Sequence, residues 1–249
     1  MSGDKLHKTK GIVLRSVKYG ETSLIVTVYT ESFGLQSYLI NGIRVSGKKG
    51  AGKANYFQPA ALLDLVVYHN EFRNLQRIRE FKWSVLYEQL YQQVTKNTVA
   101  LFMIEILQKV LKQPEPHPEL FQFIEDAFLH LDRCEEKVTA NFPLFFLLQL
   151  THFYGLRVSD TYSPEMPVLD LLDGAFIREI PPHGNAIGDP YAEKISQLLK
   201  VMHPRELDEI ALNRESRKKI LEAVLQFYTL HFPEFGPLRS LDVLQMILH

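Results

Sequence analysis

Cysteine is almost absent from this sequence, which has a single one, Cys134, among 249 residues. One cysteine excludes an intramolecular disulfide framework and a cysteine-rich zinc site. No run approaches the roughly 18–20 uninterrupted apolar residues that span a bilayer. The polar start MSGDKLHKTKG does not resemble a signal peptide. We therefore expect a cytoplasmic protein.

Signs of catalysis are also lacking. The acidic pairs Glu135-Glu136 and Asp208-Glu209 have the surroundings of solvated helix surfaces, and Ser159 and Ser163 have no base at a suggestive spacing. Cys134 stands beside acidic residues, which raise a thiol pKa instead of activating the thiol. We predict no catalytic residue, no cofactor and no enzyme activity.

Charge is distributed unevenly along the chain. The net charge is −1 overall, but residues 1–82 contain 13 Lys+Arg against 6 Asp+Glu, whereas residues 83–249 contain 15 against 23. A basic module joined to an acidic one suggests that the first meets a polyanion. Chance clustering of solvated charges is the plain alternative.

The first part of the sequence has the period of β-strands. Segments such as TSLIVTVYT alternate apolar and polar residues, and AALLDLVVYH is nearly continuous apolar, as in a central strand. Five such segments separated by turn signals, the last being LQRIREF, indicate a small barrel. We predict an α+β protein whose residues 1–82 form a five-stranded OB-type β-barrel, a fold whose open face often binds oligonucleotides.

From Trp83 onward the period becomes helical. A stripe of Leu86, Leu90 and Val94 predicts a first helix, and several apolar stripes follow, with a proline-rich connection at residues 112–119. Gly155 is the expected C-terminal cap of a central buried helix, FPLFFLLQLTHFY. Residues 83–249 are thus predicted to form an α-helical bundle, with an irregular insert at about 157–187 that contains a hairpin turning at Asp173-Gly174. Asp189 is expected to begin the helix after the insert.

The segment SGKKGAGKAN comes close to a phosphate-binding loop. Gly47, four residues, Gly52 and Lys53 match that motif, but Ala54 stands where Ser or Thr would hold magnesium. Pro59 follows too soon for the long helix that the motif requires. The seven residues before the next strand leave no room for a crossover helix. The sequence therefore argues against ATP binding.

The same segment fits a basic loop between the third and fourth strands. Its glycines allow close approach of the backbone to phosphates, and Tyr56 follows at once as a stacking candidate, whereas Phe57 is better explained by core packing. The predicted DNA-binding residues are Lys10, Arg15, Lys18, Arg44, Lys48, Lys49, Lys53 and Tyr56. Whether Lys10, Arg15 and Lys18 of the first strand face the loop depends on a register that the sequence leaves open.

Several blocks resemble one known family, the bacterial RecO recombination mediators. The opening KGIVLRSVKYGETSLIVTVYTESFGL, then NGIR and QPAALLDLVVYHNEFRNLQRIRE, are similar to that family's first domain. FPLFFLLQLTHFYGLRV, DGAF and LRSLDVL resemble its central helix, hairpin and closing helix. Order and spacing carry the resemblance, since no single motif is diagnostic.

The resemblance implies a DNA repair protein that binds single- and double-stranded DNA and promotes strand annealing. It also implies that, with RecR, the protein helps RecA load onto DNA coated by single-stranded-DNA-binding protein. That coating protein's acidic, Phe-ending tail would need an apolar pocket with a cation at its rim. Lys109, Lys112 and Arg157 are the candidate rim residues. The alternative from another class is a scaffolding protein whose barrel binds proteins and not DNA.

One feature departs from the family pattern. Many members carry a four-cysteine zinc site near the hairpin, and the corresponding segment SDTYSPEMPVLDLLDGAF has no cysteine. His152 and His183 do not have the paired spacing of a closed tetrahedral site. We therefore predict no metal, and expect packing of Leu169, Leu171 and Phe176 to hold the insert together.

Overall fold

The computed structural model describes residues 5–43 and 52–248. The chain divides into two compact units, one of Met1–Glu88 with Ile104–Leu129 and one of Gln89–Met103 with His130–His249. Two helices contribute residues to both of these units. A single domain boundary at residue 82 remains our prediction. Within the described ranges, no helix is long and apolar enough to cross a membrane.

The first unit contains the predicted five strands. These are β1 Lys5–Tyr19, β2 Ser23–Thr30, β3 Gly34–Ile40, β4 Leu62–His69 and β5 Gln76–Trp83. They pair in the order β1-β2-β3-β5-β4, and β4 also pairs with β1, so the sheet closes into a barrel. Only the β3–β5 pair is parallel among these neighbours. The prediction of a five-stranded barrel is confirmed.

The barrel interior follows the period of two read from the sequence. Val26 and Val28 of β2 point inward together with Tyr38 of β3, and each is fully buried. Strand β1 differs, because Ile12 and Leu14 on the opposite face from Val13 are buried as well. Residues of the same unit cover that outer face: the Gln108 side-chain amide donates to the Leu14 carbonyl over 2.7 Å. A strand covered on both faces reads as continuously apolar.

The chain contains six helices among its described residues. They are α1 Val94–Val110, α2 Pro118–Arg133, α3 Glu136–Leu150, α4 Tyr191–Leu199, α5 Arg214–His231 and α6 Leu241–Ile247. In the second unit α3 is the buried central helix that its composition predicted, with Phe142, Phe146 and Leu147 fully buried. A 3-10 turn, Thr151–Tyr154, extends it to Gly155, whose φ of 68° is the left-handed cap expected there.

The helix predicted from the stripe of Leu86, Leu90 and Val94 is wrong, because residues 84–93 are not helical. Only Leu90 is buried; Leu86 and Val94 are 71% and 69% exposed. The buried Asp132 carboxylate accepts hydrogen bonds from the backbone N–H groups of Gln89 and Leu90, at 2.8 and 2.7 Å. Asp132, which is distant in sequence, thus accepts hydrogen bonds from backbone N–H groups that would otherwise bond to carbonyls within a helix.

The insert in the second unit is a small sheet. Strands β6 Val168–Asp170, β7 Ala175–Ile177 and β8 Ala186–Gly188 pair in the order β7-β6-β8. The hairpin at Asp173-Gly174 is confirmed, while β8 was not predicted. Leu169, Leu171 and Phe176 are buried, as expected.

The start of α4 needs a small correction. Helix α4 has Pro190 as its N-cap and not Asp189. The Asp189 carboxylate nevertheless accepts the N–H of Glu193 at 3.1 Å, so it still satisfies a free donor of the first turn.

Candidate nucleic-acid interface

A cleft of about 240 Å³ opens on the barrel where β3 meets β5. Its described lining residues are Leu39, Ile40, Asn41, Gly42, Ile43, Lys53, Arg77, Ile78, Arg79 and Phe81. Three of these side chains are cationic, and no carboxylate is among them. A concave surface of one sign of charge concentrates counter-ions of the opposite sign.

Both arginines that line the cleft belong to β5, which has a β-bulge at Arg79. Val66 pairs with Glu80 and Val67 with Ile78, so Arg79 between them has no partner on β4. An extra residue of this kind changes the direction of side chains along a strand. The Arg79 Nε lies 3.4 Å from the exposed Glu80 carboxylate, but a surface pair of this kind is worth little. Arg77 and Arg79 therefore remain available to an anion.

An aromatic cluster adjoins the cleft. The ring of Tyr56 stacks on Trp83 with centroids 4.7 Å apart, and meets Phe81 edge-on at 5.2 Å. Tyr56 belongs to the 3-10 turn Lys53–Phe57, and Phe57 is 1% exposed, as core packing predicts. The half-buried Tyr56 ring is covered on one face by Trp83, and it lies in the same 3-10 turn as Lys53.

The described residues of the predicted basic stripe separate into two faces of β1. Ser16 donates its hydroxyl proton to the Phe57 carbonyl, which fixes that face toward the 3-10 turn. Lys18 is two residues further on the same regular ladder and shares this face, whereas Arg15 lies on the other. Both side chains are exposed. The register that the sequence left open thus favours Lys18 over Arg15 as a neighbour of Lys53.

Lys10 lies away from the cleft, in an ion pair. Its Nζ is 2.7 Å from the Glu125 carboxylate, which is almost wholly buried. The surrounding groove of about 560 Å³ also contains Glu31, Asp64 and Glu80 beside its lysines. Its charges balance, so this groove does not attract a polyanion.

Three predicted residues, Arg44, Lys48 and Lys49, lie outside the described residues. Ile43, which precedes the undescribed segment, lines the cleft, as does Lys53, two residues after its end. The predicted residues did not include Arg77 and Arg79, although the alternation Arg-Ile-Arg in the fifth predicted strand indicates that the two share a face.

A second, apolar groove lies in the helical unit. Its described lining residues are Ala140, Pro143, Leu144, Arg217, Lys218, Leu221, Leu244, Gln245 and Leu248. Arg217 donates through Nη1 to the Leu212 carbonyl at 2.7 Å and through Nη2 to the Leu248 carbonyl at 3.4 Å. Its Nε is buried without a hydrogen-bond partner among the described residues, and burial lowers the pKa of Arg217. A carboxylate entering this groove would find an unused donor.

The three predicted rim residues do not line this groove. Lys109 and Lys112 belong to the first compact unit, while Arg157 belongs to the second. The groove instead takes its cations from α5, as Arg217 and Lys218. Sequence reasoning missed them because α5 carries many charges and only its packing shows which of them border apolar residues.

The described residues contain no group of three or more His, Cys, Asp or Glu side chains suited to a metal ion. Cys134 is partly buried, and desolvation raises the pKa of its thiol. A raised pKa disfavours the thiolate that a nucleophile or a metal ligand requires.

These observations define a class of protein: a small barrel with a cationic cleft, followed by a mainly helical unit. Family models named recombination protein O N terminal and recombination protein O C terminal match residues 1–87 and 91–242. The chain is similar to proteins named DNA repair protein RecO. It is 32% identical over 240 residues to that of Phocaeicola vulgatus and 33% over 243 residues to that of Bacteroides fragilis, with 96% of this chain and 98% of each relative covered.

The chain therefore belongs to the recombination protein O, or RecO, family, as the sequence resemblance indicated. Family membership assigns it a role in DNA repair and recombination, as a mediator working with other repair proteins.

Proposed function

We propose that this chain binds single- and double-stranded DNA through the cationic cleft of its barrel and promotes annealing of complementary strands. With RecR, it would help RecA load onto DNA coated by single-stranded-DNA-binding protein. In this role it acts as a mediator without catalysing a reaction, since bringing strands and proteins together needs binding surfaces alone.

The lining of the cleft is the observation that carries the proposal. Lys53, Arg77 and Arg79 project into a concavity with no carboxylate among its described lining residues. Arginine and lysine bind phosphate oxygens and so position a nucleic-acid backbone without reading its sequence. The predicted loop cations Arg44, Lys48 and Lys49 would add to this contact, with Lys18 and Tyr56 beside it. Sequence-tolerant binding is what annealing of arbitrary strands requires.

Salt-dependent DNA binding tests the proposal. We would measure fluorescence anisotropy of labelled single- and double-stranded oligonucleotides from about 50 to about 300 mM salt. Binding through phosphates weakens steeply as salt rises, with a slope near −0.7 per contacted phosphate for single strands. An Arg77→Ala/Arg79→Ala variant should bind more weakly and with a flatter slope.

The matched control removes two cations from the charge-balanced groove. A Lys8→Ala/Lys82→Ala variant changes net charge equally, but these lysines face Glu31, Asp64 and Glu80. If both variants bind equally weakly, only net charge matters and the cleft is not the site. If the native protein fails to bind DNA at low salt, the scaffolding alternative takes its place.

For the helical unit we propose that the α5 groove receives the acidic, Phe-ending tail of single-stranded-DNA-binding protein. Leucines supply its apolar walls, and the unpaired Nε of Arg217 supplies a donor for the terminal carboxylate. The groove has a volume of only about 20 Å³. Entry of a phenyl ring therefore requires an outward shift, for which the seven-residue helix α6 is the smallest moving part.

A synthetic tail peptide tests this assignment. The peptide should bind, while versions ending in Gly or in an amide should not, because each lacks the ring or the carboxylate. Arg217→Ala should weaken binding at least tenfold, since removing one partner of a charge-assisted bond costs about 1.5–3 kcal/mol. Arg157→Ala, Lys109→Ala and Lys112→Ala test the rim predicted from sequence. If one of these variants lost binding while Arg217→Ala kept it, the tail would bind at that residue and not in the α5 groove.

A further inference from the structure

Among the described residues of the first unit, Phe72 is the most exposed large apolar side chain, at 90%. It lies in the loop between β4 and β5, beside a groove of about 570 Å³. Phe33 and His69 stack there with centroids 4.0 Å apart, and Pro114 and Pro116 lie along the same groove. Flat rings thus border a space that exceeds a nucleobase in size, and polar residues, among them Lys5 and Asn70, complete its lining.

Hydrogen bonds tie the loop that carries Phe72 to the start of β5. The buried Gln76 side chain donates to the carbonyls of Asn70 and Arg73, at 2.8 and 2.6 Å, and accepts the Asn70 N–H at 3.1 Å. The Asn70 side chain in turn accepts the N–H of Phe72 at 3.0 Å. An exposed aromatic ring on an ordered loop costs little conformational entropy when it binds.

The groove leads along the barrel toward the cationic cleft. A middle region of about 360 Å³ shares His69, Glu71 and Pro114 with the Phe72 groove. It continues along Ser37 of β3, whose neighbour on the same face, Leu39, lines the cleft. The cationic lysines and arginines along this path are Lys5, Arg73, Arg77, Arg79 and Lys53, and Glu71 is the single carboxylate among the described lining residues.

We propose that the Phe72 groove receives an unpaired base of single-stranded DNA, whose backbone then follows the β3–β5 seam into the cleft. This rests on the proposed DNA binding and adds a strand preference to it. A stacked platform serves any base, since every base has a π-face. In a duplex the bases are paired and stacked on one another, so the groove discriminates in favour of single strands.

The test compares Phe72→Ala with the native chain on three ligands: a single-stranded oligonucleotide, its duplex, and an oligomer of abasic nucleotides with the same phosphates. Loss of one base–aromatic stack is worth roughly 1–3 kcal/mol, so we expect single-strand affinity to fall about tenfold. Duplex and abasic binding should change less than twofold. Leu86→Ala, which removes another exposed apolar side chain of the same unit, should change nothing.

Two results would overturn the inference. Equal weakening on all three ligands would mean that Phe72 shapes the general site and captures no base. If Phe72→Ala binds single strands as the native chain does, while Arg77→Ala/Arg79→Ala binds them weakly, the groove is not a base site. The proposed DNA binding by the cleft would then still stand. Absence of DNA binding by the native chain would instead refute the proposed function itself. Thermal unfolding of Phe72→Ala verifies that the exposed substitution leaves the fold unchanged.

Discussion

Lys10 and Glu125 form a close ion pair across 115 residues of sequence, with Nζ–O distances of 2.7 and 3.1 Å. The Glu125 side chain is 5% exposed and that of Lys10 is 43% exposed. The hydrogen bond to Glu125 raises the pKa of Lys10. A lysine that sequence reasoning assigned to DNA therefore has a structural task, because it compensates a buried carboxylate.

Lys10→Ala should destabilise the protein more than it weakens DNA binding. The substitution leaves Glu125 buried and unpaired, which costs about 2 kcal/mol. Urea unfolding would measure the loss, and anisotropy should show DNA affinity within twofold of the native value. Lys10→Met/Glu125→Leu removes both charges and should regain stability. A large loss of DNA affinity in a stably folded Lys10→Ala variant would return this lysine to the DNA site.

Gly34→Ala should be strongly destabilising. Gly34 has a φ of +60°, and a Cβ atom there would lie 2.2 Å from the Glu115 carbonyl oxygen. Left-handed strain costs about 1–2 kcal/mol, and the clash adds a similar amount, so we expect about 3 kcal/mol by urea unfolding.

Gly20→Ala is the matched control for this substitution. Gly20 has almost the same φ, +58°, but nothing within 4 Å of the added Cβ. This variant should lose only the stability that left-handed strain costs, about 1 kcal/mol. Equal losses in the two variants would show that the approach of Glu115 to Gly34 contributes no constraint.

Asp170 should be essential to the small sheet of the second unit. This carboxylate is 3% exposed and accepts the N–H groups of Leu172 and Asp173, at 2.7 and 3.3 Å. His183 Nδ1 accepts the Asn185 N–H, so its Nε2 carries the proton and donates to Asp170 at 3.2 Å. Asp170→Ala strands three donors and should cost about 3 kcal/mol, measured by denaturant unfolding. Loss of less than 1 kcal/mol would contradict this account.

A chelator should leave the same sheet unaffected. Because we predict no metal in this chain, EDTA should not change its unfolding midpoint, and elemental analysis should find far less than one zinc per chain. A stoichiometric metal, or a midpoint lowered by EDTA, would refute the prediction. Asp170→Ala is the positive control, since it weakens the sheet without involving a metal.

Stability should fall as pH decreases from about 7.5 to 5.5. Burial lowers the pKa of His69, with a further contribution from His7 that Glu71 opposes. Burial and Arg157 lower the pKa of His152. Below the usual value of 6.5 the unfolded chain binds more protons than the folded one at these sites, so protonation favours unfolding. Urea unfolding of His69→Gln/His152→Gln should show a flatter pH dependence; an unchanged slope would assign the effect to other groups.

Much of the fold follows from local pattern. Strands alternate because successive side chains point to opposite faces, so Leu24, Val26 and Val28 identified the inside of β2 correctly. Leu120, Ile124 and Phe128 recur at helical spacing, and all three are buried in α2. Gly155 ends its helix because glycine accepts the left-handed conformation without strain. Blocks of this kind, in a fixed order, also sufficed to indicate the family.

The candidate site was only partly accessible to that reasoning. Lysine-rich composition indicated a basic barrel, and Lys53 lies in the cleft. Which cations join it depends on the parallel pairing of β5 with β3, because this pairing places Arg77 beside Leu39, a residue distant in sequence. Lys10 was predicted to bind DNA because the sequence does not show that Glu125 of α2 lies beside it.

Sequence alone thus determined the order of elements and the basic character of the first unit, because periodicity and composition are local properties. The tertiary structure decided which charges are free and which are compensated. It also replaced a predicted helix at residues 84–93 with a segment whose amides bind Asp132. Long-range hydrogen bonds and ion pairs depend on which residues the fold brings together, and no local pattern records that pairing.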